Sequence, residues 1–135
     1  MRVSVIIPTY NYANTICSAI ESVVGQDYPN IELIIIDDGS TDNTDMLVQA
    51  YTKKYDNIFY IKQENRGKAA ATFRAYQLSS GQIIFNLDAD DIFLPGKIRQ
   101  IVSIYESNPS ISMVGHAARI DVDGKFSGIE DLSNK

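Results

Sequence analysis

The chain is poor in the residues that mark several protein classes. It has one cysteine, one histidine and no tryptophan among 135 residues. Because a single cysteine cannot form an internal disulfide, the sequence predicts a reducing compartment and a cytoplasmic location, the inner face of the membrane included. No apolar run approaches the roughly 18 residues that a membrane-spanning helix needs. No membrane segment is therefore predicted in this chain.

Positive charge and glycine-rich phosphate motifs are also scarce. The net charge is -5, with 17 acidic and 12 basic residues, whereas nucleic-acid binding needs a basic surface. The first predicted strand is not followed by G-x-G-x-x-G, and no G-x-x-x-x-G-K-[ST] loop occurs, which argues against a classical dinucleotide site and a P-loop NTPase. A ligand that carries phosphates would need a metal ion in so acidic a protein.

What the chain does contain is a regular alternation of strands and helices. Apolar runs predict strands at residues 3–7, 31–36, 58–61, 82–87 and 111–117. Apolar residues at helical spacing predict helices between these strands, and residues 123–124 predict a tight turn. Strands that are apolar along most of their length are typical of a parallel sheet covered on both faces. The predicted fold class is α/β, with an open, mostly parallel, doubly wound sheet.

The most informative segment is NLDADD at residues 86–91. Three carboxylates within four residues repel and raise one another's pKa, so a cation is expected among them. Carboxylate oxygens are hard ligands that suit Mg²⁺ or Mn²⁺ better than zinc. The alternative is a solvated acidic turn that caps the next helix. The segment alone leaves the two interpretations about equal.

Polar segments follow each of the first four predicted strands. They are PTYN at residues 8–11, DDGS at 37–40, NRGK at 65–68 and DADD at 88–91. In doubly wound sheets, ligands bind in a crevice beyond the carboxyl ends of the strands. The four loops are therefore expected to form one site, in which Arg66 or Lys68 would assist the metal in holding phosphate.

These segments, together with residues 41–44 and Pro95, resemble family 2 glycosyltransferases over residues 1 to about 117. The resemblance implies the GT-A fold and inverting transfer of a sugar from a nucleotide-diphosphate donor to a hydroxyl acceptor, a glycan or lipid-linked glycan. It also implies Mn²⁺ or Mg²⁺ as cofactor. A UDP-sugar is the favoured donor, since an aspartate that reads a base imide fits uracil best.

Carried over position by position, the resemblance assigns roles to individual side chains. Asp38 would bind the base, and Pro8 and Tyr10 would line its pocket. Asp88 would face the ribose or the metal, and Asp90 would ligate the metal at the diphosphate. The predicted substrate-binding residues are Pro8, Thr9, Tyr10, Asp37, Asp38, Arg66, Lys68 and Asp88, and the predicted metal ligands are Asp90 and Asp88.

The resemblance also predicts what lies outside the donor site. Residues 1–117 are expected to form the nucleotide-sugar-binding domain, and residues 118–135 the start of an acceptor-side region or a flexible tail. The general base would lie beyond Lys135, so the chain is expected to be the N-terminal part of a longer protein, weakly active or inactive alone. An exposed apolar edge would favour self-association. Phe73 replaces an asparagine common in the family, and packing is expected to replace its hydrogen bond.

Two other protein classes that place acidic residues at strand ends fit this sequence less well. A signalling receiver domain needs an acidic pair after its first strand, where this chain has PTYN. A haloacid-dehalogenase-like phosphatase needs Asp-x-Asp-x-Thr after its first strand, and Ile92 and Phe93 after the late acidic run do not fit. A non-catalytic nucleotide-sugar-binding module stays as the alternative function.

Overall fold

The computed structural model describes residues 1–114, 118–122 and 125–130. Two compact units divide the chain after Val102. The first unit contains a four-stranded sheet and the helices that connect its strands. The predicted turn at residues 123–124 lies outside the described residues.

The sheet of the first unit is entirely parallel. Its strands are β1 (Val3–Thr9), β2 (Ile31–Asp37), β3 (Ile58–Lys62) and β4 (Ile83–Asn86), in the spatial order β3-β2-β1-β4. Every residue of β1 is buried, and so are all residues of β2 after its first. Burial of both alternating sets of side chains means that these central strands are covered on both faces, as the continuous apolar runs predicted.

Among the described residues, four helices connect or follow the strands: α1 (Ile16–Val24), α2 (Thr44–Lys54), α3 (Lys68–Leu78) and α4 (Lys97–Ser107). Helix α1 buries Ile16, Ala19, Ile20 and Val23, which are spaced as one face of a helix. Helix α3 packs on β1 and β2 through Ala71 and Ala75. These small side chains allow close approach of the helix to the sheet. No helix among the residues placed by the structure is long and apolar enough to cross a membrane.

Phe73 does not pack as the sequence analysis expected. It lies in α3 between the two buried alanines, and 63% of it is exposed. Two residues along a helix correspond to about 200° of rotation, so Phe73 lies away from the face that meets the sheet. The prediction that packing replaces the asparagine hydrogen bond is therefore wrong.

The second unit contains the end of α4 and an antiparallel pair, β5 (Ala118–Val122) and β6 (Lys125–Glu130). The two strands flank residues 123–124, where the sequence predicted a tight turn. Residues 111–114 do not form the predicted strand. Met113 is 85% exposed, and within the described ranges no neighbouring strand pairs with this segment, so its apolar side chains gain nothing from an extended pairing. The boundary after residue 117 stays a prediction.

Candidate functional site

The loops that follow β1 to β4 surround one open cavity of about 670 Å³. The sheet register explains the convergence, because Thr9 at the end of β1 lies opposite Asp37 at the end of β2. Asp37 in turn lies opposite Lys62 at the end of β3. Seven of the predicted site residues line the cavity: Pro8, Thr9, Tyr10, Asp38, Lys68, Asp88 and Asp90. Asp37 and Arg66 are not among its lining residues.

Asp38 holds the loop that follows β3. Its Oδ1 accepts hydrogen bonds from Gln63 Nε2 at 2.9 Å and from the Arg66 backbone N–H at 2.8 Å. Its Oδ2 accepts one from the Gly67 N–H at 2.8 Å. Burial raises the pKa of the Asp38 carboxyl, but these three hydrogen bonds outweigh it, and the pKa lies below its usual value. Asp38 is thus an anion that hydrogen bonds from the protein stabilise at the cavity wall, where only 3% of the residue is exposed.

Asp37 is fully buried and holds its own turn. Its Oδ1 accepts the Ser40 N–H at 2.7 Å, and its Oδ2 accepts the Tyr60 hydroxyl at 2.6 Å. Burial, together with this bond to the carboxylate, raises the pKa of Tyr60. The structure therefore places Asp37 behind the cavity wall, where it supports the loop of Asp38.

The turn after Asp38 requires a glycine at position 39. Its φ is 85°, a conformation that L side chains rarely adopt, and a Cβ would lie 3.1 Å from the Asn65 backbone nitrogen. The close approach brings the loops after β2 and β3 together.

Asn11 was part of a predicted segment but was not predicted as a site residue. It lines the cavity between Tyr10 and Tyr12 and is the non-glycine residue with positive φ, 57°, in the described chain. Its side-chain Oδ1 accepts the backbone N–H groups of Thr41 at 2.7 Å and Asp42 at 3.2 Å. The only sequence signal was the residue type, since asparagine tolerates the left-handed region better than most residues.

The opposite end of the cavity is acidic. Asp88, Asp90 and Asp91 each offer a carboxylate oxygen, and these oxygens lie within 4.8 Å of one another. Partial burial, followed by the charges of Asp90 and Asp88, raises the pKa of Asp91. The mutual repulsion that the sequence predicted is therefore present, and Asp91 belongs to the cluster although it was not predicted as a ligand.

Lys68, which was predicted to assist the metal in holding phosphate, forms an ion pair with the acidic cluster. Its Nζ lies 2.7 Å from Asp88 Oδ1, with 64% of the lysine side chain and 41% of the aspartate side chain exposed. The hydrogen bond to Asp88 raises the pKa of Lys68 against the opposing effect of burial. Arg66 is different, because its side chain is 72% exposed and lies 3.9 Å from Glu64. Only its backbone N–H reaches Asp38.

The chain between the acidic cluster and helix α4 is hydrogen-bonded to helix α1 and to Gln26, which follows that helix. Gln26 donates from Nε2 to the Leu94 carbonyl and accepts the Ile98 N–H at Oε1. Ser22 Oγ accepts the Phe93 N–H at 3.0 Å. These bonds fix the connection after the cluster and the first turn of helix α4.

The acidic cluster fits a hard divalent cation. Three carboxylates within ligand-sharing distance supply oxygen donors only, and one lysine balances part of their charge. Mg²⁺ and Mn²⁺ prefer such oxygens and complete their coordination with water and substrate phosphates. The cavity beside the cluster leaves room for water and for a substrate phosphate.

Comparison with known proteins decides the family. The family model described as Glycosyl transferase family 2 matches residues 4–132. The chain belongs to this family. An uncharacterized glycosyltransferase of Nostoc sp. is 37% identical over 126 residues, which cover 93% of this chain and 39% of that protein. Glycosyltransferase GlyG of Streptococcus pneumoniae is 31% identical over 126 residues, 92% of this chain and 42% of GlyG.

Solved glycosyltransferase structures share the fold. S. aureus TarS 1-349 in complex with UDP-GlcNAc matches with a TM-score of 0.73 and 28% identity, over 81% of this chain and 32% of that one. The mannosyltransferase PcManGT of Pyrobaculum calidifontis, in complex with GDP-Man and Mn2+, matches with a TM-score of 0.64 and 34% identity, over 68% and 28%. The α/β prediction and the GT-A assignment are confirmed. This family 2 chain spans about two fifths of the curated relatives named above.

Proposed function

We propose that the cavity binds a nucleotide-diphosphate sugar and that the chain is the donor-binding part of an inverting glycosyltransferase. The observation that carries the proposal is the pairing of two unlike ends in one cavity of about 670 Å³. One end has aromatic rings and a hydrogen-bonded aspartate, and the other has a carboxylate cluster with one lysine. A nucleoside diphosphate has the same polarity, with a flat base at one end and phosphates at the other.

The base would lie at the end formed by Pro8, Tyr10 and Asp38. A carboxylate has about four acceptor positions, and three bonds to Asp38 come from the loop after β3. Its Oδ2 takes one of them, which leaves an acceptor position for a base imide. Uracil offers that donor, and the TarS structures with UDP-GlcNAc and UDP support UDP. The PcManGT structure with GDP-Man makes guanine the alternative.

The diphosphate would lie between Lys68 and the cluster of Asp88 and Asp90. These two aspartates would hold Mn²⁺ or Mg²⁺, and the PcManGT structure in complex with GDP-Man and Mn2+ supports the presence of a metal ion. When bound, the ion supplies Lewis-acid stabilisation of the charge on the leaving diphosphate. Lys68 would add its positive charge on the same side.

In the proposed reaction an acceptor hydroxyl oxygen forms a bond to the anomeric carbon from the face opposite the diphosphate. The bond from that carbon to the phosphate oxygen breaks, the nucleoside diphosphate leaves, and the hydroxyl proton goes to a general base. Asp38 is committed to the loop, and Asp88 is paired with Lys68. We therefore propose donor binding for these side chains and expect little or no sugar transfer by the 135 residues alone.

Calorimetric titration tests the proposal. UDP should bind in the presence of Mn²⁺ or Mg²⁺ more tightly than GDP and dTDP, and a chelator should abolish most of the binding. The variant Asp56→Asn is a matched control, because Asp56 is exposed in the turn before β3 and does not line the cavity. UDP affinity that is the same with and without metal would contradict the metal-dependent site.

The alternative is a non-catalytic nucleotide-sugar-binding module. It is considered because this chain covers only 39% of the length of the Nostoc relative. Transfer of sugar to glycan or lipid-linked acceptors by the protein with its neighbouring sequence would favour the enzyme. Donor binding without transfer in that longer protein would favour the module. Self-association, which was expected from an exposed apolar edge, and a cytoplasmic location stay predictions.

A further inference from the structure

We propose that Asn11 is a positioning residue that locks the loop after β1 to the loop after β2 and so holds Tyr10 at the base end of the cavity. The role of Asn11 in base recognition rests on the proposed nucleotide site. The connection between the two loops rests on hydrogen bonds alone.

The lock consists of reciprocal bonds between residues about 30 positions apart. The Asn11 backbone N–H donates to Ser40 Oγ at 2.9 Å, while Asn11 Oδ1 accepts the N–H groups of Thr41 and Asp42. Asp42 returns the contact, because its Oδ2 accepts the Ala13 N–H at 3.0 Å. Both loops therefore supply donors and acceptors to each other.

The far side of the lock is itself anchored. The Ser40 N–H is held by the buried carboxylate of Asp37, which also accepts the Tyr60 hydroxyl. The oxygen Oδ1 of Asp42 accepts the N–H of Thr44 at 3.0 Å, at the start of helix α2. Asn11 thus ties a solvent-facing loop to a turn that is fixed by the core.

The left-handed conformation makes asparagine a suitable residue for this position. At a φ of 57° most side chains are disfavoured, whereas asparagine and glycine are tolerated. Glycine would keep the backbone but lose the amide oxygen that holds Thr41 and Asp42. The geometry thus separates the conformational role of the residue from its hydrogen-bonding role.

The consequence concerns Tyr10, which precedes Asn11 in the chain. Tyr10 lines the cavity with 44% of the residue exposed, so its own packing holds the side chain only in part. Ordering flexible groups at the moment of binding weakens affinity, and preorganised groups avoid that loss. Asn11 therefore contributes to recognition of the base and not of the phosphates.

The test compares Asn11→Gly with Asn11→Asp in the 135-residue chain. Asn11→Gly keeps the backbone conformation and removes the acceptor, whereas Asn11→Asp keeps an acceptor oxygen of the same shape. Affinities for UDP and for inorganic pyrophosphate are measured with Mn²⁺ present, below the melting temperature of each variant. Hydrogen exchange of peptides that cover residues 10–13 and 40–44 reports on the lock itself.

We expect Asn11→Gly to lower UDP affinity about tenfold, as expected when a side chain and its loop must be ordered on binding, and to leave pyrophosphate affinity unchanged within about twofold. Exchange should accelerate in both loops, and Asn11→Asp should restore both readouts. An equal loss for UDP and pyrophosphate, or no loss for either, would overturn the positioning role. If the unaltered chain binds no UDP, the proposed function fails. Exchange alone then decides the lock, and unchanged exchange in Asn11→Gly overturns it.

Discussion

Asp38 and Asp88 both follow a strand of the sheet and both line the same cavity, but their surroundings differ. Three donors from the loop after β3 bind the buried carboxylate of Asp38. Asp88 is part of a cluster with two further carboxylates and pairs with a single, largely exposed lysine. The pKa of Asp38 is lowered, whereas the pKa of Asp91 in the cluster is raised.

The comparison shows how one residue type serves two purposes. A carboxylate bonded to backbone N–H groups is stable as an anion and shapes the loop that provides those groups. A carboxylate beside other carboxylates is repelled by them, and a bound cation relieves that repulsion. We therefore expect substitutions at the two ends to separate protein stability from metal binding.

The largest effect is expected for Asp90→Asn at the acidic end. Loss of a ligand should lower metal-dependent UDP affinity on the order of 100-fold, about 2.8 kcal/mol. The melting temperature without metal should stay constant or rise, because one repelling charge is removed. Calorimetry and thermal unfolding measure the two quantities, with Asp56→Asn as control. A clear loss of stability without metal would instead make Asp90 a structural residue.

Asp38→Asn, at the base end, should lower the stability of the protein, whereas Asp90→Asn should not. Its amide NH₂ cannot accept one of the backbone N–H groups that Asp38 holds, so we expect a loss of about 1–3 kcal/mol in the free energy of unfolding. UDP should lose more affinity than pyrophosphate. Unchanged stability, measured by urea unfolding, would contradict the anchoring role.

The lowered pKa of Asp38 also predicts a pH dependence. A carboxyl whose folded pKa lies below its unfolded value of about 3.9 stabilises the protein above that pH, and the contribution is lost as the pH falls through the folded pKa. The wild-type chain should therefore lose more stability below about pH 4 than Asp38→Asn does. Acid titrations of urea midpoints compare the two proteins.

Lys68→Met should give a smaller effect of mixed sign. Exposed ion pairs contribute about 0.2–1 kcal/mol, so removal of the lysine should raise Mn²⁺ affinity without nucleotide by a factor of about two to five. The same change should weaken UDP binding in the presence of Mn²⁺. Electron paramagnetic resonance of free Mn²⁺ measures the first quantity. Lys62→Met is the matched control, since Lys62 pairs with Asp45 at 3.8 Å and does not line the cavity.

The smallest effect is expected for Arg66→Ala. The exposed side chain pairs only with Glu64 among the described residues, and the backbone N–H that Asp38 accepts is retained. UDP affinity should change less than about twofold, as is typical of exposed surface pairs. A tenfold loss in calorimetry would show that the guanidinium moves to the phosphates when the ligand binds.

Much of the fold was predictable because local pattern and packing agree. The apolar runs of β1 and β2 and the spacing of Ile16, Ala19, Ile20 and Val23 indicate their structures directly. The run at 111–114 shows the limit, because an apolar segment forms a strand only where a partner strand is available. Helix α3 shows another limit, since the face that packs on the sheet is set by its two alanines and leaves Phe73 exposed.

The sequence by itself determined the parallel sheet, the edge at which the loops meet and the acidic character of one end of the cavity, because these follow from hydrophobic pattern and chain order. The tertiary structure alone decided which carboxylates are already bonded. Asp37 and Asp38 find their donors in Tyr60, Arg66 and Gly67, more than 20 residues away, while Asp88 meets Lys68. Hydrogen bonding depends on the positions of loop N–H groups to within a few tenths of an ångström, and only the packed sheet sets those positions.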